Sequence, residues 1–160
     1  MKVLGIDPGI ARTGWAIIEE TNGKIKALAF DCFETKANEE TTKRLEKIHT
    51  EIGRILKKYS PQTVAIEELF FNTNAKTAFI VGQARGVILL ACAQENIKSV
   101  CFTPLQIKIA VSGYGRAEKK QVAKMVKTIL KLDKTPKLDD TSDALAVGLT
   151  YLFSRKVNGN

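Results

Sequence analysis

Four carboxylates are the side chains of this chain best placed to do chemistry. Asp7 closes the apolar run Val3-Leu4-Gly5-Ile6 and precedes Pro8-Gly9, and Glu67 closes Val64-Ala65-Ile66. An acid at the end of an apolar strand is costly unless something pairs with it, and a divalent cation is the usual partner. Asp140 and Asp143 are three apart at the start of an alanine-rich segment of helical character. A helix presents such a pair as neighbours on one face. With no His or Cys beside these acids, the donor set suits a hard ion such as Mg²⁺ or Mn²⁺ over Zn²⁺. Two such ions about 3.5–4 Å apart can activate a water and stabilise the leaving oxygen of a phosphodiester.

Each acid also has an ordinary structural reading. Asp7 before Pro-Gly suits a turn, and acids in a first helical turn are favoured by the helix dipole. Glu67 and Glu68 point to opposite faces of a strand, and the pattern does not choose between them. Asp139 with Asp143 competes in the same way with Asp140 and Asp143.

The elements that must position these acids can be read from periodicity. Val3–Asp7 is a strand stopped by Pro8-Gly9, and Thr13–Glu19 and Lys24–Cys32 flank the turn signal Thr21-Asn22-Gly23. Leu45, Ile48, Ile52, Ile55, Leu56 and Tyr59 recur at helical spacing, which predicts a helix from about Asn38 to Tyr59. A fourth strand follows at Thr63–Glu68, a second long helix from about Asn74 to Glu95, and a fifth strand at Ile97–Phe102. The remainder is helical apart from loops at Ser112–Gly115 and near Thr135-Pro136. This order predicts one α/β domain over residues 1–155 with a five-stranded mixed sheet flanked by helices, and a frayed tail at 156–160. Ligands in open α/β sheets gather at the carboxyl ends of strands, where Asp7 and Glu67 both fall.

Composition narrows the partners. Of 160 residues, 25 are Lys or Arg and 17 are Asp or Glu, for a net charge of +8. A basic body around an acidic cluster suits an enzyme acting on a polyanion, nucleic acid before anionic membrane. A content of 44% hydrophobic residues excludes a disordered chain. Cys32, Cys92 and Cys101 are odd in number, have no CxxC spacing and lie in apolar stretches, so they read as small buried hydrophobes in a reducing compartment. The longest apolar stretch, Gly86–Ala93, is far below the roughly 20 residues of a membrane span. The chain opens directly on a strand without signal-peptide architecture, and a cytoplasmic protein is expected.

Taken together, the short motifs carry a family resemblance. Gly5-Ile6-Asp7-Pro8-Gly9 with Thr13-Gly14-Trp15, then Ala65-Ile66-Glu67, Gly82-Gln83-Ala84-Arg85-Gly86, Gly113-x-Gly115-x-Ala117-Glu118-Lys119 and Asp143-Ala144-Leu145-Ala146 follow in order. This set resembles the RuvC family of crossover junction endodeoxyribonucleases, over nearly the whole chain. The resemblance implies a ribonuclease H-like fold and a homodimer that cuts four-way Holliday junctions with Mg²⁺ or Mn²⁺, two ions per subunit. It implies paired symmetric nicks with 5′-phosphate products, and a branch-migration motor as a further partner. Asp7, Glu67, Asp140 and Asp143 match the family's catalytic, metal-binding acids, which leaves Glu68 and Asp139 as neighbours.

The same resemblance points to residues that would meet DNA. Lys108 and Lys119 match positions near the scissile phosphate, where a lysine can neutralise developing charge, so Lys119 joins the catalytic set. Arg116 lies in the Gly-rich loop just before it. Phe70 matches a base-contacting aromatic, whereas Phe71 suits ordinary packing. Lys120, Lys124, Lys127 and Lys131 recur at helical spacing, and a solvated lysine face is the plain expectation for them. Gly82 and Gly86 each cost about 1 kcal/mol of helix propensity, so another backbone, of the sheet or of a second subunit, is expected close by. His49, the single histidine, is expected at a boundary with no catalytic part. Two rival classes share parts of this pattern: an actin-like ATPase, and a junction-binding protein without nuclease activity.

Overall fold

A computed structural model of the chain describes residues 1–68 and 75–157. The elements run β1 (Lys2–Asp7), β2 (Arg12–Thr21), β3 (Lys24–Glu34), α1 (Thr41–Tyr59), β4 (Thr63–Glu67), α2 (Ala75–Gln94), β5 (Lys98–Phe102), α3 (Pro104–Ser112), α4 (Lys119–Leu130) and α5 (Asp139–Val157). The strands form one sheet in the order β3-β2-β1-β4-β5. The β1–β2 and β2–β3 pairs are antiparallel, while β1–β4 and β4–β5 are parallel. This is the mixed sheet that the residue pattern predicts.

Several boundaries differ from expectation. The first helix starts at Thr41, not near Asn38, with Glu40 at its cap in a non-helical conformation. The hydrophobic repeat that fixes this helix begins only at Leu45, so nothing in the pattern marks the start. β2 and β3 are longer than predicted because their cross-strand ladder runs from Thr21–Lys24 out to Arg12–Glu34. β4 stops at Glu67, and β5 begins at Lys98 after Ile97 donates its amide to Cys92 at the end of α2. Asn74, given as the start of the second helix, lies outside the described residues.

Period-two alternation sorts the strand residues onto two faces. Leu4, Ile6, Ile17, Val64 and Ile66 pack with Ile48, Ile52, Leu56 and Ile88 of α1 and α2. Val3, Ala16, Ile18 and Ala65 pack on the other face with α5, together with residues of α3 and α4. Gly5 and Gly14 belong to that second face by the same parity. A Cβ on Gly5 would lie 2.1 Å from the Ala144 carbonyl oxygen, and one on Gly14 would lie 2.0 Å from that of Asp140. Only glycine lets α5 come this close to the sheet. The first turns of α5 are thereby pressed onto the strand ends where Asp7 and Glu67 lie.

A candidate carboxylate cleft on the α5 face of the sheet

The parity that sends Ala65 toward α5 sends Glu67 there as well, and the parity of Val3 and Gly5 does the same for Asp7. Ile6 pairs with Ile66 in the parallel β1–β4 ladder, so the two acids emerge side by side. Gly14, which Asp140 overlies, is the antiparallel partner of Asp7. Asp143 follows one turn into α5. Glu68, by contrast, is exposed, and its amide donates to the Phe102 carbonyl at 2.8 Å.

Three of these acids resist ionisation. Burial pushes Asp7 up to about 8, helped by the negative charges of Glu67, Asp143 and Asp140 and opposed by Lys119. Burial and the charge of Asp143 push Glu67 up to about 7. Asp143 is also raised, chiefly by burial, even though Lys119 pairs with it. Carboxylates that hold their protons this firmly are missing a cation.

Two side-chain cations already stand beside the acids. The Lys119 ammonium lies 2.6 Å from Asp143 Oδ2. Burial alone would lower the Lys119 pKa, but the hydrogen bond to Asp143 and the charges of Asp143, Asp139 and Asp7 outweigh it and raise the value. Arg12 Nη1 lies 3.5 Å from Asp140 Oδ2, and its Nε is 4.0 Å from Glu34. Among the described residues no group of three or more His, Cys, Asp or Glu side chains stands arranged to hold an ion. The acids are neighbours by charge without forming a closed cage, because Lys119 and Arg12 each hold one of them.

The donor set nevertheless fits a hard divalent cation. Every candidate ligand is a carboxylate, and the mutual repulsion that raises Asp7 and Glu67 is what such an ion would relieve. Asp7, Glu67 and Asp143 are the residues that would hold it. Asp140 faces Arg12 and stands at the edge of the cluster.

Local chemistry fixes where the lysines stand. Thr103 and Gln106 cap α3 reciprocally, with Pro104 as its first residue, and Gly113 ends it in the left-handed region. The Glu118 amide donates to Gln121 Oε1 at 2.9 Å and starts α4, with Lys119 as its first residue. Lys108 of α3, Lys119, Glu67 and Asp143 line one cavity of about 210 Å³. Arg116 is exposed and lines neither this cavity nor the larger groove beside it. Phe70 and Phe71 lie outside the described residues. His49 is bonded to Gln94 at 2.7 Å, on the far face of the sheet. Arg12 was missed in the sequence; the only signal for it is its place five residues after Asp7, in the connection that turns back to pair Gly14 with that acid.

This geometry has relatives. The family model for crossover junction endodeoxyribonuclease RuvC matches residues 3–151. The chain belongs to the RuvC family. A RuvC of Caldicellulosiruptor saccharolyticus is 50% identical over 155 residues, 96% of this chain and 93% of that protein. A RuvC of Finegoldia magna is 49% identical over 98% of this chain and 95% of its own length. Among solved structures, Thermus thermophilus RuvC superposes with a TM-score of 0.90 at 34% identity, covering 99% of this chain and 97% of that one. The same T. thermophilus protein in complex with Holliday junction substrate gives 0.90 at 32% identity, over 98% of this chain and 96% of that one. The fold is ribonuclease H-like, and the RuvC family is a family of metal-dependent nucleases.

All three cysteines are free thiols, as their spacing predicts. Among the described residues no helix is long and apolar enough to cross a membrane.

Proposed function

We propose that this chain resolves four-way DNA junctions by cutting two symmetric strands with metal ions held at Asp7, Glu67 and Asp143. One observation carries the reading. Three buried acids from β1, β4 and α5 meet beside Lys119, at proton affinities that only a cation relieves. Mg²⁺ or Mn²⁺, two ions per subunit, would when bound acidify a water and stabilise the departing 3′ oxygen.

The chain's own residues do the rest. Asp7 and Glu67, fixed on adjacent strand ends, orient the charge that receives the ions. Lys119 gives up its contact with Asp143 and turns its ammonium toward the scissile phosphate, where negative charge grows. Lys108 faces the same cavity and adds a second positive charge. Arg12 keeps Asp140 ionised at the edge of the cluster. Arg116 and Phe70 complete the DNA contacts, Phe70 by stacking on a base. The product is a nick with a 5′ phosphate and a 3′ hydroxyl.

A junction offers two equivalent strands, which a two-fold homodimer would meet with two equivalent sites. The outer face of α2 supports this assembly. Phe79, Gly86 and Leu90 are exposed on it, and a Cβ on Gly82 or Gly86 would meet nothing within 4 Å. The close neighbour expected at these glycines is therefore not the sheet of the same chain, which leaves the second subunit. One domain over 1–155, a cytoplasmic setting and a branch-migration motor as partner complete the reading.

The test is a labelled four-way junction incubated with the protein and Mg²⁺, with EDTA as control. Paired symmetric nicks that need metal are expected. Asp7→Asn should abolish cutting and leave junction binding intact. Retained cutting would remove Asp7 from its role, and tight binding without cutting by the native chain would favour a binding protein.

A further inference from the structure

The largest cavity among those lined by described residues is not the carboxylate cleft. It is a groove of about 890 Å³ between α4 and the start of α5, and it includes Lys119 and Asp143 at one end. Lys120, Lys124, Lys127 and Lys131 line the rest. The plain expectation for these lysines, a solvated helix face, does not describe where they stand. Val122, Val126 and Leu130 bury the opposite side of α4, so the helix is rigidly seated and its lysines share one wall. Asp139 at the mouth is already coupled to Lys119 and Asp143, which leaves the four lysines in excess along the wall.

From these observations we infer that the α4 groove is a phosphate track that holds a base-paired DNA arm alongside the cleavage site. This deepens the proposed function and rests on it. Continuity comes first: the groove shares Lys119 and Asp143 with the cleft, so a polyanion presented to the carboxylates passes directly into it. Dimensions come second. Lys120 to Lys131 spans about 16 Å of helix at about 1.5 Å per residue. Duplex DNA carries about one charge per 1.7 Å of its axis, so this span faces about ten phosphates, half of them on the nearer strand. Four lysines are matched to that number. Chemistry comes third. Lysines are flexible point charges suited to backbone phosphates, and the groove lining contains no aromatic side chain on which an unpaired base could stack. The occupant is thus a duplex held without regard to sequence.

The test is the salt dependence of junction binding in EDTA, which keeps the DNA whole. It compares the native chain with a variant carrying Lys120→Gln, Lys124→Gln, Lys127→Gln and Lys131→Gln. Each phosphate contact contributes about 0.9 to the slope of log K against log salt, so the variant's slope should be shallower by about three to four. Replacing the same four residues by Arg should keep the native slope, which separates charge from any loss of folding. On a single-stranded oligonucleotide the two proteins should differ much less. An unchanged slope on the junction would overturn the track and hand the groove to an acidic protein partner. An equal change on single strands would overturn its duplex character. Failure of the native chain to nick a junction in Mg²⁺ would instead strike the underlying nuclease reading, and the slope comparison would still decide the groove.

Discussion

The two faces of the sheet use the same strands for opposite ends. On the α1–α2 face, β1, β2 and β4 present Leu4, Ile6, Ile17, Val64 and Ile66, large side chains that hold the helices at packing distance. On the α5 face the same strands present Gly5, Gly14, Ala16 and Ala65, and α5 answers with Ala144. Large residues make a core that excludes polar groups. Small ones bring a helix so near that the acids of its first turns meet those at the strand ends. The difference shows that the cleft is built by subtraction: the functional face lacks the side chains that would have kept its acids apart.

This contrast can be broken most sharply at Gly14. A methyl group there would sit 2.0 Å from the Asp140 carbonyl, a backbone atom that cannot rotate away. Gly14→Ala should shift the start of α5, cost about 1–3 kcal/mol of stability and slow junction cutting by about 100-fold. Single-turnover cleavage beside a chemical melt measures both. Cutting at the native rate would show that the close approach of α5 is not what assembles the cleft.

The opposite face gives the complementary experiment. Ile66 is fully buried against the α1–α2 side, one residue before Glu67. Ile66→Ala should cost about 2–5 kcal/mol while cutting, measured below the lowered melting point, stays within about tenfold of native. Stability and activity should thus separate by face. If Ile66→Ala lost cutting as fully as Gly14→Ala, the two faces would not be independent.

A third expectation concerns pH. Asp7 and Glu67 hold protons to about 8 and 7 in the folded chain, against 3.8 and 4.5 ordinarily. The folded state therefore binds more protons than the unfolded state between those values, so its stability is full below about pH 4 and is lost as pH rises through about 8. One pKa unit is about 1.4 kcal/mol, and 1 kcal/mol moves the melting point of a chain this size by about 2–4 °C. In EDTA the melting point should be at least about 5 °C lower at pH 8 than at pH 5. Mg²⁺ should recover more of it at pH 8, since ligation needs ionised carboxylates. A melt in which Mg²⁺ helps equally at both values would argue against these acids as its ligands.

The smallest effect should come from Arg12. Its pair with Asp140 is half exposed on the arginine side and is worth about 0.2–1 kcal/mol. Arg12→Gln should change cutting by less than about fivefold, read in the same assay. A much larger loss would move Asp140 from the edge of the cluster to its centre.

The acids themselves were legible as strand-end and helix-start residues, because apolar runs and their stops are local signals. The five strands and their order along the chain were legible for the same reason. The start of α1 was not, since its hydrophobic repeat begins at Leu45, after the first turn has formed. The lysines of α4 were visible as a periodic stripe, but periodicity says which residues share a side, not what stands opposite. That the stripe walls a groove depends on where α5 begins, far along the chain.

The sequence by itself determined the cast: which residues are acids at strand ends, which helix carries the lysines, and which family the motifs belong to. These are properties of neighbours within a few positions, and the chain carries them whether or not it is folded. Tertiary structure decided the choices between equals. Glu67 lies beside Asp7 and Glu68 faces solvent because the register of β4 on β1 sets the parity of both. Asp140 turns to Arg12 because β2 brings that arginine back across the end of β1. Asp7 and Glu67 become proton-holding acids only where α5, seated on Gly5 and Gly14, covers them from water.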